Sequence, residues 1–190
     1  LAQELCPENP YYNNSLAYSY IKAELYDDAI EYYQNAIRLN PDAEWTSIVC
    51  HALGAIYAEV KNNYEAAEAT FNAGMVLDPN NVDIQLSLGD LYMAQNDLDK
   101  AIKTYCDAIS VDPENYLTYA KTGLALWEKD YLEEAIVAFH KSIELNPEFE
   151  ISQNNLGVVY LDGLGDPKES VEYFKNAINI NPNYTLAYFN

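Results

Sequence analysis

The sequence predicts an all-α solenoid of antiparallel helix pairs, and three observations carry that expectation. A short phrase ending in proline returns along the chain, a small residue followed by a ring recurs in phase with it, and a small–aromatic–small series follows later in each interval. The phrase reads Leu5-Cys6-Pro7, Leu39-Asn40-Pro41, Leu77-Asp78-Pro79, Val111-Asp112-Pro113, Leu145-Asn146-Pro147 and Ile180-Asn181-Pro182, its prolines separated by 34, 38, 34, 34 and 35 residues.

The first helix of each interval is marked by Ala17 and Tyr20, Gly54 and Tyr57, Gly89 and Tyr92, Gly123 and Leu126, and Gly157 and Tyr160, three apart and so on one helical face. The turn that follows is expected at Asp27-Asp28, Asn62-Asn63, Asn96-Asp97, Lys129-Asp130 and Asp162–Asp166, all turn formers and N-cap acceptors. The second helix carries Ala29-Tyr33-Ala36, Ala67-Phe71-Gly74, Ala101-Tyr105-Ala108, Ala135-Phe139-Ser142 and Ser170-Phe174-Ala177. Small residues let the helices approach and the ring between them fills the space at their side, so a large side chain at Ala101 or Ala108 would overpack the contact. Proline then ends the second helix, because it cannot donate an amide and disfavours helical geometry in the residue before it.

This order of small, aromatic and proline landmarks in a helix-turn-helix unit resembles the tetratricopeptide repeat family. The resemblance covers nearly the whole chain as a single array, with full repeats at about 10–43, 47–81, 82–115, 116–149 and 150–184 and partial repeats at both ends. Extra residues at Asp42–Thr46 and in the Lys61–Tyr64 turn lengthen the second repeat, Leu126 replaces an aromatic, and Ser142 and Ser170 replace alanines. The family fold implies stacking into a right-handed superhelix in which each pair covers the apolar face of the next. Neither end shows a polar capping helix, so the array is expected to be a segment of a longer one, or to self-associate through its uncapped ends.

In this family the first helices line a concave groove that receives a peptide or helix. Carried over, the groove would comprise Tyr11, Asn14, Tyr18 and Ile21; Ile48, His51 and Ala55; and Asp83, Leu86, Asp90 and Met93. It would continue through Leu117, Lys121, Leu124 and Trp127, then Ile151, Asn154, Asn155, Val158 and Leu161. Tyr18, Met93 and Trp127 would be the anchors for a hydrophobic or amphipathic segment. The resemblance thus implies a non-catalytic protein-interaction scaffold; the alternatives are a docking or regulatory segment of a larger enzyme and a self-assembling structural module. Two specialised variants of the groove are not matched. A clamp for a C-terminal carboxylate needs groove lysines and arginines, and Lys121 stands nearly alone; a backbone-holding asparagine ladder finds only Asn155, with Ser15, Ala52, Ser87 and Lys121 at the equivalent places.

Composition narrows the partner class. The chain of 190 residues carries 30 acidic and 10 basic side chains, a formal charge of −20, which repels polyphosphate and anionic headgroups. A protein or peptide partner is expected, basic or amphipathic, with neither nucleic acid nor direct membrane binding. Glu59, Asp83, Asp90, Glu128 and Asp162 fall along the expected groove at about the frequency the composition dictates, so they read as a solvated face. No apolar run is long enough to span a bilayer, and Leu1–Cys6 lacks the basic and apolar segments of a signal peptide; a cytoplasmic setting is the default expectation.

Catalytic and cofactor constellations are not found in the sequence. The histidines, His51 and His140, fall on a first and a second helix of different repeats. Cys6, Cys50 and Cys106 have no metal-site spacing and read as reduced thiols. Gly163-Leu164-Gly165-Asp166-Pro167 follows a helix and lacks the lysine and hydroxyl of a phosphate loop, so it reads as a widened inter-helix turn. Asp97-Leu98-Asp99 lacks the glycine and terminal glutamate of a calcium loop. No metal, cofactor or catalytic residue is assigned.

Overall fold

A computed structural model describes residues 8–39 and 42–190, and every regular element in them is helical. The first proline phrase, Cys6, the expected partial helix at Leu1–Cys6 and the Asn40-Pro41 pair lie outside the described residues. The helices are α1 (Pro10–Lys22), α2 (Tyr26–Leu39), α3 (Ala43–Ala55), α4 (Tyr64–Leu77), α5 (Val82–Ala94), α6 (Leu98–Val111), α7 (Tyr116–Glu128), α8 (Leu132–Leu145), α9 (Glu150–Val158), α10 (Pro167–Ile180) and the short α11 (Leu186–Phe189). Two π-helical turns, Ile56–Val60 and Val159–Gly163, extend α3 and α9. Helices α1 and α2, α3 and α4, α7 and α8, and α9 and α10 pack as consecutive pairs, and the chain divides into two compact units with the boundary between Leu91 and Tyr92, within α5.

In the N-terminal unit, Ala17, Ala29, Tyr33 and Ala36 form one buried cluster with Val49, Leu53 and Ile56. The small residues serve the purpose expected of them: a methyl group added to Gly74 would stand 2.6 Å from Ile84 and 3.0 Å from Cys50, so only hydrogen fits. In the C-terminal unit Ala135, Phe139, Leu156 and Val159 make the corresponding cluster, with Trp127, Tyr160 and Tyr173 packed around it. Ser142 replaces an alanine at no cost in polar satisfaction, because its buried hydroxyl meets that of Ser152 at 2.7 Å.

Caps follow the sequence closely. Asn9, Asp42, Asn63, Asp97, Asn115 and Asp166 accept from amides in the first turns of α1, α3, α4, α6, α7 and α10. Beyond α4, α6, α8 and α10 one turn recurs, in which the Oδ1 of Asp78, Asp112, Asn146 and Asn181 accepts from the amide two residues on at 3.1–3.2 Å. The middle residue of each phrase therefore ties the chain around the proline that ends the helix.

The turns inside the pairs differ from expectation. Asp27 and Asp28 are the acidic first turn of α2, placed at the positive end of its dipole, and the turn itself is Ala23-Glu24-Leu25. All five turns have three residues with a left-handed centre: Glu24, Asn62, Asn96, Asp130 and Gly165, with φ of 59, 50, 58, 64 and 64°. The extra residue of the second and fifth pairs thus widens no loop. It is taken up inside the first helix, where Lys61 and Leu164 donate to Ile56 and Val159, five residues back, each at 3.1 Å. At the second helix's start Asn63 and Asp166 then reach the carbonyls of Tyr57 and Tyr160 at 2.8 Å, just as Leu25, Asp97 and Tyr131 reach those of Tyr20, Tyr92 and Leu126. The extra residues at Asp42–Thr46 are likewise helical from Ala43 on: Asp42 caps them as the first turn of α3.

Candidate functional site

Where the first helices of the N-terminal unit turn outward they carry rings and aliphatic side chains. Tyr11, Asn14 and Tyr18 recur at three and four residues along α1, on the side away from the buried Ala17. Tyr11 and Tyr18 are 54% and 56% exposed and Ile48 on α3 is 56% exposed, while Asn14 is half-buried. Tyr11 meets the edge of Trp45 with centroids 4.9 Å apart, and the ammonium of Lys22 lies 5.2 Å over the ring of Tyr18. His51, half-buried, places Nε2 2.9 Å from the hydroxyl of Ser87 and its ring 6.1 Å from Phe71, so it fastens α3 to α5 as part of the packing. Asp90 is exposed, whereas Leu86 is only 7% exposed: it belongs to the core and leaves the set of surface contacts.

In the C-terminal unit Leu124 is exposed, and Met93, Leu117, Lys121, Asn155, Val158 and Leu161 are half-buried. Asn154 is 4% exposed; its Oδ1 accepts from Asn190 at 3.0 Å and its amide nitrogen donates to Asn155 at 3.3 Å. It therefore works as a lateral tie between helices and is removed from the ligand-facing set. Trp127 is also reassigned from free anchor to packing, because its indole lies over the π-helical turn, where a methyl on Gly163 would come within 2.7 Å of Cζ3. Two lateral bonds, His51 to Ser87 and Asn154 to Asn190, span the same 36 residues and repeat the same tie in each unit.

Trp45 was missed in the sequence because Asp42–Thr46 read as extra residues that lengthen the second repeat. Asp42-Ala43-Glu44-Trp45, an N-cap followed by an acid in the first turn, is the signal that would have found it. The two histidines are on separate units: His140 is exposed and edge-on to Tyr173 at 6.1 Å. Burial pushes the Cys50 thiol up, and burial followed by Asp107 does the same for Cys106, which disfavours the reactive thiolate at both. Among the described residues no group of three or more His, Cys, Asp or Glu is arranged to hold a metal ion, and no helix is long and apolar enough to cross a membrane.

Consecutive helix pairs with recurring small–aromatic landmarks define a helical repeat fold. The chain belongs to the tetratricopeptide repeat family: profiles described as tetratricopeptide repeat match residues 10–43, 118–149 and 152–184, and one described as TPR repeat matches 89–130. Such proteins are generally non-enzymatic and bind protein or peptide partners. Among curated relatives, the anaphase-promoting complex subunit CDC16 of Saccharomyces cerevisiae is 30% identical over 106 residues, which are 54% of this chain and 12% of that protein. The BBSome complex member BBS4 of Bos taurus is 37% identical over 82 residues, 43% of this chain and 15% of that protein, so the matched stretch spans only a small part of either. Among solved structures, YrrB, described as a TPR protein with an unusual peptide-binding site, superposes with a TM-score of 0.74 at 22% identity, covering 99% of this chain and 94% of that one. MamA from Desulfovibrio magneticus RS-1 reaches 0.79 at 18% identity over 92% and 96% of the two chains. These likenesses show the fold.

Proposed function

We propose that the outward side of the first helices in the N-terminal unit receives a hydrophobic or amphipathic peptide of a partner protein. The observation that carries this reading is the exposure of Tyr11, Tyr18 and Ile48, three large side chains of which more than half faces water although Ala17, Ser47 and Val49 beside them are buried. Tyrosines suit the task, since they bury much area for two rotatable bonds and keep a hydroxyl for the partner's backbone. Affinity would come chiefly from covering these groups, with Asp90 at the polar margin. The C-terminal unit offers Leu124, Val158 and Leu161 with Lys121 and Asn155 as its corresponding, less exposed set.

The test is capture of partners from source-cell lysate by the wild-type chain and by a Tyr18→Ala/Ile48→Ala variant, with circular dichroism on both. A partner held by wild type and weakened by about 1–4 kcal/mol in the folded variant supports the reading. Undiminished affinity in that variant moves the site off this face.

A second reading, favoured by the two curated relatives being named as members of multi-subunit complexes, is that the chain docks subunits of a larger assembly. Gel filtration of the captured material separates the two, because a lone peptide ligand leaves the elution volume unchanged and an assembly does not.

A further inference from the structure

The second helices of the C-terminal unit carry a cleft of about 590 Å³ that the first-helix reading does not use. Its origin is visible in the repeat. The residue before the landmark small residue is Leu16, Leu53, Leu88 and Leu156 in four pairs but Thr122 in the fourth, and the residue before the central ring is Tyr32, Thr70, Thr104 and Tyr173 in the other pairs but Ala138, the smallest of the five, in the fourth. Tyr32 and Tyr173 stack on Tyr20 and Tyr160 with centroids 5.2 Å apart, and the corresponding cleft of the first pair, which Tyr32 lines, is smaller at about 500 Å³ and carries Arg38 at its edge. Thr122 and Ala138 are buried at the bottom of the cleft, and two shortened side chains there leave the volume open.

What surrounds that floor is apolar above and acidic at the edge. Ile109 from α6 and Tyr119 from α7 form the sides, and Val137 stands at the mouth 69% exposed. Glu133 and Glu134, in the first turn of α8, line the same cleft and make no ion pair among the described residues. The cation present, Lys141, is held by Glu144 at 2.8 Å. The volume lies within the range of ligand pockets and would take more than one bulky side chain. A second copy of the chain, with its net charge of −20, would bring like charge to the two glutamates.

We propose that this cleft is a second docking site, independent of the first-helix face, for a short cationic segment of another protein that seats bulky apolar side chains between Ile109, Tyr119 and Val137 and sets a lysine or arginine beside Glu133 and Glu134. Apolar burial supplies the affinity and the unpaired carboxylates select the charge.

The experiment is fluorescence anisotropy with short labelled peptides in which leucine and phenylalanine content and net charge are varied independently, using the whole chain. Cationic apolar peptides should bind saturably, and Ala138→Tyr, which restores the side chain of the outer pairs, should weaken them at least about tenfold. Glu133→Gln/Glu134→Gln should lower affinity and flatten its salt dependence, while Tyr18→Ala, in the N-terminal unit, should change nothing. If circular dichroism shows Ala138→Tyr misfolded, Val137→Asp at the exposed mouth is read in its place. Binding that is absent, equal for anionic peptides, or indifferent to the filling variant overturns the proposal. So does a concentration-dependent dimer in light scattering that the filling variant abolishes.

Discussion

The first, third and fourth helix pairs and the second and fifth solve one geometric problem in two ways. From the small landmark of the first helix to that of the second there are 12 residues in the former (Ala17 to Ala29, Gly89 to Ala101, Gly123 to Ala135) and 13 in the latter (Gly54 to Ala67, Gly157 to Ser170). A loop is the usual home for an extra residue, yet here the three-residue turn stays constant and the helix swells. The turn is constrained on both sides, by a left-handed central residue and by an N-cap whose amide must reach a carbonyl in the preceding helix. A π-helical turn keeps every one of those bonds and merely widens one helical turn, which is the smaller disturbance.

The sharpest way to break the comparison is through the glycines that face the central rings. A methyl on Gly157 would meet Phe174 at 2.6 Å and one on Gly54 would meet Phe71 closer still, whereas at Gly123 the Phe139 ring is 2.9 Å away. Gly54→Ala should therefore cost about 1–3 kcal/mol by overpacking. In Gly123→Ala a ring shift of a few tenths of an ångström is set against about 0.8–1 kcal/mol of helix propensity, leaving a smaller net change. Urea unfolding of both variants reads the difference; equal losses would show that the π-containing pairs are no more tightly closed.

The turn centres offer the next test. Glu24 holds φ of 59° without the local hydrogen bonding that lets asparagine or aspartate tolerate this region, so Glu24→Gly should stabilise by about 1 kcal/mol. Asn96→Gly, at φ of 58°, should gain less. A Tm that rises equally for both would mean that the side chain at the centre is immaterial.

Deleting Val60, a partly exposed residue of the first π-helical turn, should convert the second pair to the shorter spacing. Because the turn and cap beyond it are already those of the shorter pairs, stability should change by no more than about 1 kcal/mol. Loss of helical circular dichroism would show that the widened turn is needed to seat Tyr64–Leu77.

The division of the chain into helix pairs was legible because each landmark is a steric requirement repeated five times: Ala29, Ala67, Ala101 and Ala135 are all buried, as are the rings beside them. Where the extra residues go was not legible. Asn62-Asn63 and Gly163–Asp166 have loop composition, and a π-helical turn has no composition of its own; only the hydrogen-bond register reveals it. Of the candidate groove, exposure of Tyr11, Tyr18, Ile48 and Leu124 agreed with helical spacing. Leu86 is core, and Asn154 and Trp127 failed for a shared reason: first helices pack on the next helices of the array as well as facing outward, and a one-helix periodicity sees just one of those surroundings. The second-helix cleft was readable in principle from Thr122, which breaks a column of leucines, and from Ala138, the smallest member of a mixed column, but neither is one of the landmarks that define the repeat.

The two stacked tyrosine pairs give the subtlest contrast, since the first pair of helices lacks a π-helical turn and the fifth has one. Burial, followed by the charge and hydrogen bond of Tyr160, pushes the Tyr173 phenol up to about 12, while Tyr20 is raised chiefly by its hydrogen bond to Tyr32. In the folded chain the neutral phenol is favoured, so the stability contributed by Tyr173 is fully present below its unfolded value near 10 and is lost as pH rises from there through about 12. Stability at neutral pH is untouched. Because burial is the larger cause at Tyr173, Tyr160→Phe should leave most of its shift in place, whereas Tyr32→Phe should return Tyr20 most of the way to its ordinary range. Ring-labelled tyrosine NMR across an alkaline titration reads both; a Tyr173 that falls to the ordinary range in Tyr160→Phe would assign its shift to the partner phenol and not to the packing around the widened turn.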